Sequence, residues 1–366
     1  MITLKPPLRF VDAASSRVQR RFAGWKPALR TVKLKWPLLK HALTHMGAKP
    51  FMQNQTAAAT KAPTRLPMPL IIIAAVALVG SLALAVPSNP EWWKAVVLGV
   101  VQGITEWLPI SSTGHLLISS SLLKFQVSEH LKGTFEIFIQ LGTVVSVLVF
   151  YFSNLLGEAR ALLGQGSREQ VAGARRFWLA VIIAFLPAAV IGLLLRKWIK
   201  EVLFGTPQVI AGALIVGGII FLLIEWLPKR PTRTSDLEHV TPLQALGVGV
   251  AQICSLIPGI SRSGSSIVGG LLSGLDRTTA TAFSFYLSIP VLGAATLVDL
   301  LGSLDKIQPS DWGMLLLGAV VAMIVGYVTI GWLLRYVARH NFVAFGIYRI
   351  VAGLLILGLA ALGVLG

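Results

Sequence analysis

Charge is scarce in this chain: charged residues make up 13% of its 366 positions, acids number only 15, and hydrophobic residues reach 55%. A soluble globular domain carries about 25% charged residues, so a soluble fold is excluded. With a mean hydropathy of +0.75, the chain belongs among polytopic membrane proteins. The single cysteine, Cys254, excludes an internal disulfide and leaves the redox compartment unset; a core position is expected for it. The net charge of +17 looks like a nucleic-acid footprint until it is located. Residues 1 to 70 hold thirteen Lys or Arg against one acid, Asp12, which leaves only +5 for all the rest.

The basic charge is therefore a property of the N-terminal extension, residues 1–68. Trp25, Trp36 and Phe51 lie among its cations, and Pro6, Pro7, Pro27 and Pro37 oppose a long helix there. Such a segment is expected to be disordered or to lie on an anionic membrane surface; nucleic acid is not an expected partner. Met46, Met52 and Met68 all precede the first apolar run, so a later start, or a leader-type segment after Met68, is compatible with the same residues.

A bilayer span takes about 20 apolar residues. Runs near that length occupy roughly 69–87, 134–152, 177–195, 208–227, 279–301, 312–334 and 344–365. The first is an extra N-terminal span or leader; the other six belong to the domain at 91–366. Two further apolar segments, 95–123 and 242–272, are broken at their midpoints by Pro, Gly and hydroxyl residues. Irregular backbone at membrane depth survives only where protein or a wet cavity satisfies it, so both segments read as re-entrant helical hairpins.

These two segments are one sequence written twice. GVVQGITEWLPISSTGHLLI at 99–118 aligns without a gap on GVAQICSLIPGISRSGSSIV at 249–268. The pairs Gly99/Gly249, Val100/Val250, Gln102/Gln252, Ile110/Ile260, Ser111/Ser261 and Gly114/Gly264 are identical, and the breaks fall at Pro109 and Pro258. The repeats run over about 95–227 and 242–366. Three full spans separate the hairpins, an odd number, so the copies are expected to be inverted. By the positive-inside rule, Arg160, Arg168, Arg175, Arg176, Lys229, Arg230, Arg233, Arg335 and Arg339 fall inside, and Arg196, Lys197 and Lys200 violate the pattern. The first hairpin then opens to the outside and the second to the inside. The expected fold is an all-α polytopic membrane protein whose two broken segments meet near mid-membrane, the usual place of a binding site in inverted repeats.

The chemistry sits at the breaks. Gln102 and Glu106, four apart, share a helix face, and an acid at this depth is a functional candidate by default. Ser111, Ser112 and Thr113 offer hydroxyls after the break, Gly114 allows close backbone approach, and His115 opens the next half-helix. In the second copy Ser261, Arg262, Ser263 and Gly264 follow Pro258 and Gly259, with Arg262 in the slot of Ser112. Two half-helix N-termini, several hydroxyls and a guanidinium describe a pocket for a phosphorylated group. Glu106 and His115 supply a base, an acid or a metal ligand. The duller alternatives are serines that bond freed carbonyls, a histidine on a backbone carbonyl, and Arg262 paired to Glu106 as a structural bridge.

QGITEWLPISSTGH and PGISRSG resemble the two motif regions of the undecaprenyl-diphosphate phosphatase family of bacterial membranes, also described as the bacitracin-resistance family. The similarity continues through FEIFIQLGT at 135–143, SFYLSIPVLGAA at 284–295 and YRIVAGLLIL at 348–357, and so covers roughly Glu91 to the C-terminus. The resemblance implies hydrolysis of undecaprenyl diphosphate to undecaprenyl phosphate and inorganic phosphate. That reaction recycles the lipid carrier for cell-wall synthesis and bears on bacitracin resistance. It also implies a divalent cation, Mg²⁺ or Ca²⁺, held through Glu106, and a site opening to the external face of the cytoplasmic (inner) membrane. Where the family motif has Glu or Gln at its first acidic position, this chain has Gln102, which leaves Glu106 as the essential carboxylate.

In the implied mechanism Arg262 takes the phosphate, with Gln102, Ser111, Thr113, Gly114, Ser261, Ser263 and Gly264 completing the substrate site. Ser112 is a donor or the nucleophile, and Glu106 and His115 activate the attacking group and protonate the leaving oxygen. Both a seryl-phosphate intermediate and direct attack by water fit these residues. The expected partners are the polyprenyl diphosphate and membrane lipids, and a homodimer is allowed for. The rival reading is a lipid-phosphate transporter or flippase, since broken inverted repeats also serve alternating access.

Overall fold

The computed structural model describes residues 68–125, 129–203, 206–227 and 231–365. The basic extension at 1–67, with its aromatic and proline residues, lies outside them, as do Lys229 and Arg230. Among the described residues the secondary structure is helical, apart from one isolated bridge between Thr234 and Leu275.

Among the described residues twelve α-helices follow in order. They are α1 (Met68–Ser88), α2 (Trp92–Thr105), α3 (Ser112–Leu122), α4 (Glu129–Phe150), α5 (Phe152–Leu162), α6 (Arg168–Trp198), α7 (Pro207–Trp226), α8 (Pro242–Ile253), α9 (Arg262–Leu272), α10 (Arg277–Leu301), α11 (Trp312–Val337) and α12 (Val343–Ala361). Six are long and apolar enough to cross a membrane: α4, α6, α7, α10, α11 and α12. These match the six core spans expected from the sequence. The part of α1 with described side chains, Ile72–Ser88, is a shorter apolar helix. It packs on α11, where the Cβ position of Gly313 comes within 2.7 Å of the Leu84 carbonyl and the Ala85 Cα.

The surface of α6 shows why the medium must be apolar. Leu179, Ile182, Leu186 and Val190 all face outward, spaced three or four apart along one stripe. A stripe of that width left bare in water would be an exposed hydrophobic patch without a partner.

The repeat in the sequence reappears as a repeat of elements. Helices α2 and α8 begin 150 positions apart, at Trp92 and Pro242, and α3 and α9 begin at Ser112 and Arg262 and end at Leu122 and Leu272. The four have 14, 12, 11 and 11 residues, each short of a span. Local chemistry sets their starts. Pro242 stands in the first turn of α8, and Thr241 and Gln244 close a capping box there. Ser261 Oγ caps α9 by accepting from the Gly264 N–H at 3.1 Å. The second copy breaks through a 3-10 turn, Cys254–Leu256, and Gly259, whose φ of +95° suits a residue without Cβ. Cys254 is exposed on that turn rather than in the core, because it stands where α8 ends and the chain turns away from its packing face.

The largest aromatic core lies against the two breaks. Trp107, next to Glu106, is fully buried. Its ring meets Phe285 edge-on at 5.2 Å, and its Nε1–H donates to Ser146 Oγ at 3.2 Å. The first break is thereby anchored to α4 and α10.

Candidate active site at the two helix breaks

Glu106 ends α2 and is almost fully buried. Three groups from both copies converge on its carboxylate. Arg262 Nη2, at the first position of α9, reaches Oε1 at 2.5 Å. Ser112 Oγ, at the first position of α3, donates to Oε2 at 2.6 Å. Gln102 Nε2, one helical turn back, donates to the same Oε2 at 3.0 Å. The Gln102 Oε1, also buried, has no partner. A hydroxyl donating to a buried carboxylate in this way is arranged as a nucleophile beside its base.

One serine of the second copy bonds across to the first. Ser261 Oγ shares a hydrogen bond with Ser263 Oγ at 3.0 Å, and Ser263 Oγ donates to the Leu108 carbonyl at 3.2 Å. Ser266 Oγ pairs with Ser284 Oγ of α10 at 2.6 Å. Ser111 stands between the halves of the first copy with φ +71° and ψ +106°, a left-handed backbone that costs a serine on the order of 1–3 kcal/mol. No side chain caps α3.

A cavity of about 500 Å³ opens from this cluster. Glu106, Ser111, Ser112, Thr113, Ser261 and Arg262 line its polar end, and Phe185, Ala188, Leu193, Val291, Ala295 and Val298 line the arm between α6 and α10. The structure thus brings six of the eleven residues singled out in the sequence to one cavity wall. Gln102 and Ser263 support that wall from behind. Gly264 is tied to Ser261 through its N–H. Gly114 packs against α7, with Leu214 Cδ1 2.9 Å from where its Cβ would stand. His115 also lies off the wall: its Nδ1 is 2.7 Å from the Ser111 carbonyl and its Nε2 is 2.7 Å from Tyr348 Oη.

Arg349, on α12, escaped the sequence reading. It is 1% exposed, and its guanidinium donates to the carbonyls of Pro109, Ala213, Leu214 and Gly259 at 3.1–3.4 Å. Pro109 and Gly259 belong to the two breaks, so one arginine satisfies freed carbonyls in both copies. Gly217 makes the room, since a Cβ there would lie 2.0 Å from Arg349 Nη2. The signal was present as a cation inside an apolar run, YRIVAGLLIL, which at membrane depth marks a functional position.

Among the described residues no group of three or more His, Cys, Asp or Glu side chains gathers as a metal site. Mg²⁺, however, is commonly bound through one or two carboxylates together with waters and substrate phosphates. Glu106 is such a carboxylate on the cavity wall, and the Gln102 amide that bonds it carries an unpartnered Oε1.

The chain is similar to known proteins over most of its length. The family model described as bacitracin resistance protein BacA matches residues 95–355. The chain is 45% identical over 276 residues to a protein of Deinococcus radiodurans named undecaprenyl-diphosphatase, covering 75% of this chain and 97% of that one. It is 47% identical over 267 residues to undecaprenyl-diphosphatase 1 of Burkholderia lata, covering 72% and 94%. A third relative, the undecaprenyl-diphosphatase of Deinococcus deserti, is 44% identical over 278 residues, or 75% and 98%. Both breaks, the ion pair between them and Arg349 lie within the matched region, and the chain is a multi-pass membrane protein of the bacitracin resistance protein BacA family.

Proposed function

We propose that the chain hydrolyses undecaprenyl diphosphate to undecaprenyl phosphate and inorganic phosphate, which returns the lipid carrier to cell-wall synthesis. The observation that carries this reading is the convergence of Arg262, Ser112 and Gln102 on the Glu106 carboxylate at the polar end of a cavity whose other arm is lined mainly, though with Asp299 among them, by apolar residues. A diphosphate head suits the first end and a prenyl chain the second. The named activities of the relatives point the same way.

In this mechanism the Arg262 pair with Glu106 holds the place of substrate. When the terminal phosphate arrives, the guanidinium turns to its oxygens and leaves Glu106 free as a base. Glu106 takes the Ser112 proton as Oγ bonds to the terminal phosphorus. The bridging P–O bond breaks toward undecaprenyl phosphate, which receives that proton. In the second half Glu106 takes a proton from water, whose oxygen attacks the seryl phosphate. The Oγ–P bond breaks, inorganic phosphate leaves and the proton returns to Ser112. Thr113 and Ser261, on the same wall, are donors to the phosphate oxygens. Phosphoryl transfer depends mostly on such positioning and charge neutralisation. A divalent cation would be held by Glu106 and Gln102 Oε1 and would neutralise part of the diphosphate charge.

The paired short hairpins, α2 with α3 and α8 with α9, are read as re-entrant and the two repeats as inverted. Helix starts at a constant 150-residue offset, with α3 and α9 equal in length, support this reading. The charge pattern supports a site that opens to the external face of the inner membrane, with α1 as an additional N-terminal span.

The test is release of inorganic phosphate from undecaprenyl diphosphate by the purified protein in detergent, with and without a chelator. Release that stops on chelation and returns with Mg²⁺ or Ca²⁺ supports the reading. Binding of the lipid without release under any divalent ion would overturn it in favour of transport.

A further inference from the structure

Histidine in a phosphatase site is readily assigned as acid or base, yet both ring nitrogens of His115 are taken. The Ser111 carbonyl can only accept, so at 2.7 Å it requires the proton to sit on His115 Nδ1. In the neutral imidazole Nε2 is then a lone pair, and the hydroxyl of Tyr348, 2.7 Å away, donates to it. The two ring planes are parallel to within 5°, with centroids 5.5 Å apart. Tyr348 stands on the outer surface of α12, 46% exposed, and neither it nor His115 lines the cavity.

What His115 holds is the strained residue. Ser111 has its left-handed backbone at the point where its carbonyl meets Nδ1, and the next residue, Ser112, carries the hydroxyl on Glu106. The neighbouring Arg349 grips the Pro109 carbonyl from the same helix. Helix α12 thus fixes the first break on both sides of Ile110.

We propose that Tyr348 and His115 are positioning residues for the phosphatase reaction: the phenol holds the imidazole in its Nδ1–H form, the imidazole holds the Ser111 carbonyl, and the backbone so held presents Ser112 to Glu106. This rests on the phosphatase reading, and its test separates the two. The reaction then needs an N–H at the place of Nδ1 and not a titrating imidazole.

The decisive variants are His115→Asn and His115→Ala. An asparagine amide places an N–H near the position of Nδ1 but neither takes up nor gives a proton at neutral pH. A misplaced reacting group costs up to about 100-fold, so His115→Ala is expected to lower kcat by about 10- to 100-fold with KM little changed, and His115→Asn to recover most of that loss. Tyr348→Phe is expected to lower kcat by about 3- to 10-fold in the wild-type background and to have no further effect in His115→Ala, since residues acting in one chain are not additive. A second readout needs no turnover. Diethyl pyrocarbonate modifies the free lone pair of a neutral imidazole, so peptide mapping should show His115 protected in wild type and modified several-fold faster in Tyr348→Phe. Equal loss in His115→Asn and His115→Ala, additive effects with Tyr348→Phe, or equal modification rates would each overturn the proposal. Loss of activity in Glu106 and Arg262 variants would meanwhile leave the phosphatase reading standing.

Discussion

Arg262 and Glu106 are 156 positions apart in the chain, and their side chains meet at 2.5 Å. Each stands at a break in its own copy of the repeat. Neither copy alone therefore holds a site: the first supplies the carboxylate and Ser112, the second the guanidinium. An ion pair this deeply enclosed is a poor source of stability, because desolvation consumes much of the attraction. Its value in this account is that a phosphate can replace the carboxylate on Arg262.

Ser112 is expected to carry phosphate during turnover. With substrate labelled on its terminal phosphorus, rapid acid quenching should give a labelled peptide spanning Ser112, absent in Ser112→Ala. That variant should lose about 100-fold or more of kcat, as expected for removal of a nucleophile beside its base. Label found only in free phosphate at every quench time would instead require direct attack by water.

Arg349→Lys should weaken the fold and the reaction together. Lysine keeps the charge but offers one nitrogen in place of a planar fork, so it cannot serve the carbonyls of Pro109, Ala213, Leu214 and Gly259 at once. A loss of about 3–6 kcal/mol follows from abandoning two buried charge-assisted hydrogen bonds, visible as a lower Tm in detergent. An unchanged Tm would show that the breaks do not depend on this residue.

Much of this architecture was legible in the sequence. The gapless repeat located both breaks, and the six core spans follow from run length alone, because a bilayer imposes one length on every crossing. The acid, the guanidinium and the hydroxyl that meet were each identifiable from their depth in an apolar segment. Position within the site was less legible. His115 and Gly114 follow Ser112 and Thr113 directly, yet the helical turn carries them away from the cavity toward α12 and α7. Arg349 was hidden for another reason. Its partners are carbonyls on α7 and at both breaks, which carry no residue-type signal. Cys254 shows the limit of reading burial from an apolar run in a membrane protein, where apolar surroundings begin at the outer surface.

Outside the spanning helices, Glu158 on α5 predicts a pH dependence of stability. Burial, with the nearby Glu238 charge adding to it, pushes its carboxyl up to about 7. The folded state thus keeps a proton that the unfolded chain loses near pH 4.5, so stability falls as pH rises from about 4.5 to about 7. Glu158→Gln, which cannot ionise, should flatten the Tm profile over that range and exceed wild type at pH 8. A wild-type profile that rises from pH 5 to pH 8 would contradict this assignment.

The most direct measurement compares lipid binding and phosphate release in Glu106→Gln and Arg262→Ala with those in wild type, using undecaprenyl diphosphate. The account predicts that Glu106→Gln binds the lipid and releases almost no phosphate, while Arg262→Ala loses both binding and release. Wild-type rates of release in either variant would contradict a site shared between the two breaks.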